Sequence, residues 1–141
     1  MHPTERILND IHDKIEMNVQ YLKSVLWVDN LVDITDLPCL VISGGEEVTT
    51  PYHNDYYLVE LSVDLRFYAK TQGTTKEIDL FFDMASDCDV LLKDVANRIP
   101  SIMAVTERST LDVSDFDNLE TPIVGATKNY IFKYKRTRGL T

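Results

Sequence analysis

Fifteen residues near the middle of the chain constrain the fold more than any others. From Tyr56 to Lys70 the sequence reads YYLVELSVDLRFYAK. Successive side chains of a strand point to opposite faces. Tyr57, Val59, Leu61, Val63, Leu65, Phe67 and Ala69 therefore share one face, and Glu60, Ser62, Asp64, Arg66 and Lys70 share the other. This alternation predicts a half-buried strand about three times the usual ~5–6 residues. At ~3.3 Å per residue it would span ~50 Å. The chain has 141 residues, the length of one domain, and such a domain is hardly wider than that. Either the strand projects beyond its core and pairs with a neighbour, or a bulge or bend interrupts it midway.

The flanking segments predict the remaining elements. Residues 4 to about 20 carry Ile7, Leu8, Ile11, Ile15 and Val19 at helical steps, with Pro3 before them and Thr4 as N-cap. Ser24–Asp29 (SVLWVD) and Leu37–Ser43 (LPCLVIS) read as strands, the second stopped by Gly44 and Gly45. Gly44–Asp55 (GGEEVTTPYHND) reads as a polar loop or an irregular hairpin arm. Gln72–Thr75 reads as a turn, with Thr74 and Glu77 fitting a capping box. A second helix runs to about Ile99. Its apolar stripe is Ile78, Phe81, Phe82, Ala85, Leu92, Val95, Ala96 and Ile99, and Asp79, Asp83 and Asp87 face the other way. Pro100 ends it. Met103–Val113 and Asn129–Thr137 predict two more strands, joined by an acidic loop over Ser114–Gly125. The expected order is α-β-β-β-α-β-β. The fold class is α+β, with a mixed, mostly antiparallel sheet, two main helices packed on one face, and one long strand or hairpin projecting.

Charge and cysteines narrow the function classes. Lys and Arg number 14 against 23 Asp and Glu, a net charge of −9. So acidic a chain repels phosphate and is a poor general nucleic-acid binder. Five bases (Lys128, Lys133, Lys135, Arg136 and Arg138) follow residue 127 without a single acid. They predict either a solvated terminal strand with a flexible basic tail at 136–141, or a basic end that docks on an acidic surface, such as another copy of the chain. Cys39 and Cys88 have no metal-ligand spacing and read as reduced packing residues, suited to assembly in a cytosol. No apolar run approaches a membrane span, and no signal peptide is expected.

Enzyme chemistry is not expected. His2, His12 and His53 are scattered and read as exposed surface residues. The Asp79/Asp83/Asp87 row reads as a solvated helix face ahead of a cation site. Gly44-Gly45 lacks the Lys-Ser/Thr of a phosphate loop, and no serine sits in a nucleophile elbow. The Tyr130/Phe132/Tyr134 face reads as core or interface packing ahead of base stacking. No catalytic residue, cofactor or metal is expected.

The layout resembles that of the tail terminator, or tail completion, proteins of long-tailed bacteriophages. The elements that carry the resemblance are ILNDIHDKI, then LPCLVIS running into GGEE, the strand YYLVELSVDLRFYAK, the helix IDLFFDMASDCDVLLKDVANRI and the closing TPIVGATKNYIFKYKRT. Together they cover about residues 4–137. The resemblance implies a non-enzymatic, cofactor-free virion protein, assembled in the host cytoplasm and placed in the tail near the neck. It implies a homo-oligomeric ring, usually of six, that caps the head-proximal end of the tail tube, stops its polymerisation and presents a surface for head attachment. The implied partners are other copies of the chain, the tail tube protein and a head-completion or connector protein, with DNA only passing through the lumen and no membrane. Interface positions transfer as segments: Gly44–Asp55 and Lys70–Thr75 as loops toward tube or connector, and Tyr130–Arg138 as a ring contact. The residues singled out for interaction are Glu46, Glu47, Tyr52, Arg66, Tyr68, Lys70, Lys133, Lys135, Arg136 and Arg138. Two other readings stay open: another head–tail connector or tail-tube component, and a small α+β ligand-binding domain unrelated to phage.

Overall fold

A computed structural model describes residues 3–19, 22, 24–27, 38–53, 55–70, 76–107, 112–116 and 123–137. Its order is α1 (Pro3–Asn18), β1 (Ser24–Trp27), β2 (Cys39–His53), β3 (Tyr56–Lys70), α2 (Lys76–Arg98), β4 (Ile102–Glu107), β5 (Asp112–Phe116) and β6 (Ile123–Thr137). The six strands form one sheet in the order β1-β2-β3-β6-β4, with β5 also paired to β6. Only the β1–β2 pair is parallel. The fold is α+β with a mixed, mostly antiparallel sheet and a long hairpin.

The central strand is straight in register. All fifteen residues of β3 pair with β6, from Tyr56 opposite Thr137 to Lys70 opposite Ile123, without a shift. The interruptions fall on β2 instead, between Gly44 and Glu47 and between Pro51 and His53. β3 therefore has a long partner on each side. This is why strand alternation holds over its length: Val59, Leu61, Val63, Leu65 and Phe67 are fully buried.

One face of the sheet carries both helices. Ile7, Ile11 and Ile15 of α1 and Phe81, Met84, Cys88, Leu92 and Val95 of α2 join the inward residues of β2, β3 and β6 in one core. Each such side chain stabilises the fold by roughly 1.5–3 kcal/mol when fully buried. A Lys14–Asp94 ion pair of 2.7 Å ties the helices together, and Arg98 adds a second contact to Asp94 at 3.1 Å. Cys39 and Cys88 are both buried and reduced, as expected for packing residues. Burial pushes the Cys88 thiol up to about 12, with Asp87 adding to the effect. No helix among the described residues is long and apolar enough to cross a membrane.

Several sequence expectations need correction. Gly44 and Gly45 do not stop β2, which runs on to His53. A Cβ at Gly44 would lie 2.6 Å from Leu8 Cδ1, so glycine serves the close approach of α1. The segment 44–53 is thus the irregular hairpin arm and not a loop. Met103–Val113 is two strands: β4 and β5 lie along the same edge of β6, with only Lys128 and Asn129 of β6 between their pairings. The acidic connector is correspondingly shorter, because β5 extends to Phe116 and β6 begins at Ile123. Phe82 leaves the apolar stripe and is exposed. At ~100° per residue the buried arc of α2 runs through Phe81, Met84, Ala85, Cys88, Leu92 and Val95, and Phe82 falls outside it. Pro3 is the first helical residue, which suits its missing N–H and moves the cap position to residue 2. That position, Leu37, the Asp29 end of the first strand and the 72–75 turn with its capping box lie outside the described residues. So do His2 and Arg138.

Candidate functional site

The distal half of the β2–β3 hairpin is the most unusual surface. From Glu46 to Tyr52 the residues of β2 are exposed on both faces, although the strand remains paired with β3 and the Glu47 side chain is tucked in to 27% exposure. β1 covers only Cys39–Ile42 of the outer edge of β2. Along the stretch beyond, the arm, no described strand pairs with that edge. Pro51 lies on it, as proline on an edge strand should, and with the two bulges it blunts the edge against uncontrolled pairing.

Its base is fixed by a polar cluster that the first bulge creates. Gly44 pairs with Val63 and Glu47 with Leu61, so one extra residue of β2 is accommodated there. Without it Glu47 would face away from the helices. With it, Glu47 faces α1 and meets Thr4 Oγ1 and the Tyr134 hydroxyl, the latter donating at 3.3 Å. Thr4 Oγ1 and Tyr134 Oη lie 2.8 Å apart. Arg136 Nη1 reaches Glu47 Oε2 at 3.4 Å. Because β3 lies between β2 and β6, this ion pair straps the two flanking strands together across it. Burial raises the Tyr134 phenol, so it stays protonated and donating.

The second bulge places Tyr52 opposite no residue of β3. Lys135 Nζ sits 5.4 Å from the centroid of the Tyr52 ring and 6.0 Å from that of Tyr56. The arm tip is thus an exposed aromatic pair held by a cation.

A second cluster ties α2 to the sheet. Tyr130 donates to Asp89 Oδ1 at 3.2 Å, Lys93 pairs with Asp89 Oδ2 at 2.8 Å, and Lys128 pairs with Glu107 at 3.4 Å. Partial burial alone would raise the Asp89 carboxyl, but the hydrogen bond from Lys93 leads the interactions that hold it below the usual range. Burial and the neighbouring Asp89 charge push the Tyr130 phenol well above its ordinary value. These groups neutralise one another and form a structural clasp.

The structure distributes the singled-out residues widely. Glu46 lines an open groove of ≈370 Å³ with Val48, Glu60, Ser62 and Ile131 on the face away from the helices. Arg66 and Tyr68 are half-buried on that same face, opposite Val41 and Cys39. Lys70 is exposed at the far end of β3. Lys133 stands between Glu60 of β3 and Ala104 of β4. Glu47 and Arg136 face the helices. Tyr52 and Lys135 form the arm tip. Arg136 and Thr137 belong to β6 and not to a flexible tail, because each pairs with β3. Lys128, Lys135 and Arg136 also have partners within their own chain, so the basic segment is less available for docking than its sequence suggests.

His12 is not on the open surface. Its ring is half-buried, with Nε2 3.2 Å from the Val25 carbonyl oxygen and Nδ1 3.2 Å from Asp13, linking α1 to β1. Of His53 only the backbone position within β2 is described. Asp79, Asp83 and Asp87 are all exposed. Among the described residues no three His, Cys, Asp or Glu side chains converge on a point where a metal ion could sit. Two further grooves among the described residues, of ≈390 and 320 Å³, are open and lined largely by polar or charged groups or by strand edge.

No protein-family model matches the chain, and no curated protein matches its sequence significantly. The geometry of the arm, its base and the two charge clusters therefore carries the functional argument.

Proposed function

We propose that the chain is a structural ring protein of the phage tail, a tail terminator that caps the head-proximal end of the tube, stops its growth and offers a surface to the head connector. The observation that carries the reading is the arm. Three fifteen-residue strands run side by side, and β2 ends in a stretch exposed on both faces. A paired strand that leaves both faces exposed has edge and side chains to offer a partner, by strand addition or by docking. The acidic whole suits a lumen through which DNA slides, since like charge keeps the duplex from sticking.

The test is tube assembly. Purified tail tube subunits polymerise with and without this chain, and electron microscopy measures the tubes. The expected result is tubes that stop growing and bear a ring at one end. Tubes of unchanged length with bare ends would overturn the proposal.

A further inference from the structure

The sheet has an open edge on each side, and the two lie at the same height. Following the pairings across it gives three rows: Glu47–Leu61–Phe132–Val105, Val48–Glu60–Lys133–Ala104 and Thr49–Val59–Tyr134–Ile102. Each row runs from the outer edge of the β2 arm to the outer edge of β4. Among the described residues no strand pairs with either edge in these rows. The three pairings in between are antiparallel, so β2 and β4 run in opposite directions. On the arm, the two bulges and Pro51, which has no N–H, confine regular pairing to Glu47–Thr50. β4 holds neither proline nor lysine beyond its bulge at Met103, so Ala104–Thr106 is left unguarded. An open groove of ≈320 Å³ separates this edge from the C-terminal part of α2, and Ala96, Ile102 and Val105, apolar residues that the core buries only in part, line it. Val48 on one edge and Met103 on the other are 55% and 48% exposed.

We propose that the arm of one copy adds as a strand to the β4 edge of the next, with Val48 opposite Ala104 and Thr49 opposite Ile102. This rests on the self-assembling reading above and names the two edges that it requires. Geometry, not charge, selects a second copy. A copy set beside the first in the same orientation brings its β2 antiparallel to β4, which continues the alternation of the sheet. The faces also match. Thr49 and Ile102 lie opposite the buried Val59 and Tyr134 and so face the helices, whereas Val48 and Ala104 face away. The backbone groups of an open edge are met by another extended strand, which is how strand addition gains affinity. The added arm covers the groove beside β4 and completes the burial of Ile102 and Val105. The contact joins two different edges, so it is head-to-tail. Because both edges occupy the same rows, it adds no rise along the strands, and successive copies close into a ring instead of climbing as a filament.

Cross-linking tests it, because Cys39 and Cys88 are buried and leave engineered thiols as the reactive ones. Val48 and Ala104 are exposed and have β3 and β6 between them, so at ~4.8 Å per strand a link within one chain would have to span ~14 Å, far beyond a disulfide. Val48→Cys and Ala104→Cys copies are prepared separately and oxidised mildly, alone and mixed. The expected result is a 48–104 disulfide in the mixture and none in either preparation alone. Disulfides between two 48 positions or two 104 positions would overturn the head-to-tail contact. In parallel, Val48→Lys combined with Ala104→Lys sets like charges opposite each other and should weaken self-association by up to about fivefold. Val48→Glu combined with Ala104→Lys should restore it, and failure to restore would also overturn the pairing. A ring that persists without any 48–104 link would sink these edges while leaving the terminator reading intact. A wild-type monomer at every concentration would sink the contact, and the tube assay would then decide the terminator reading separately.

Discussion

Gly44 shows how a single residue can mislead when read locally. A Gly-Gly pair after an apolar run signals a turn, yet here the chain continues as strand. What Gly44 lacks is the Cβ that would strike Leu8 of α1 at 2.6 Å. The atom it meets is the far end of a flexible side chain, so Gly44→Ala should destabilise the protein by no more than about 1 kcal/mol, the cost of moving Leu8 off its rotamer. Leu8→Ala leaves space at the same point. The double variant should lose less than the sum of the two single losses, because the substitutions share one contact. Thermal or denaturant unfolding of the four proteins checks this, and simple additivity would show that the approach of α1 is not the reason for the glycine.

At the scale of elements, two polar clusters do what the apolar core cannot, which is to fix position. Apolar burial is non-directional, whereas the Asp89–Tyr130 bond sets α2 against β6 and the Thr4–Glu47 contact sets α1 against β2. The Asp89 clasp also gives a pH dependence with a definite sign. Its carboxyl is held below the ordinary value of ~3.9. The native state thus favours the ionised form, and the stabilisation is fully present above that value and lost as pH falls through the lower, folded one. Asp89→Asn should melt at a lower temperature than the wild type at pH 7, and the gap should shrink below about pH 4. Melting curves over pH 3–7 check it. A gap that stayed constant across that range would show that the carboxylate is not the source.

For the whole molecule, the question is whether the basic end of the chain stays free for another copy. In sequence it is strongly segregated. In space β6 lies between β3 and the β4/β5 edge, and Lys128, Lys135 and Arg136 find partners in the same chain. Lys133 stands opposite Glu60, so the basic segment is largely engaged within the fold. Native mass across a concentration series should show a discrete ring-sized species that salt changes little, because salt screens exposed charge pairs beyond ~10 Å at 0.1 M and leaves backbone pairing intact. A ring dispersed by salt would assign the contact to charge.

The α+β class, both long helices, the bounds of β3 and most of its inward face follow from periodicity, a local property that the chain displays wherever one face is buried. The choice of hairpin arm over loop for 44–53, the split of β4 from β5 and the true extent of β6 do not. Ile123–Lys128 lacks a clean alternation of its own and becomes strand because β3 offers an unbroken edge for it. Glu47 reads as a loop carboxylate, and only the bulge, set by pairing with β3, turns it toward Thr4, Tyr134 and Arg136. Phe82 reads as core because both it and Phe81 fit a helical stripe, and only the position of the sheet chooses between them. Sequence alone determined the faces that could be buried; the tertiary structure decided which of them were, because register and packing are relations between segments that no single segment contains.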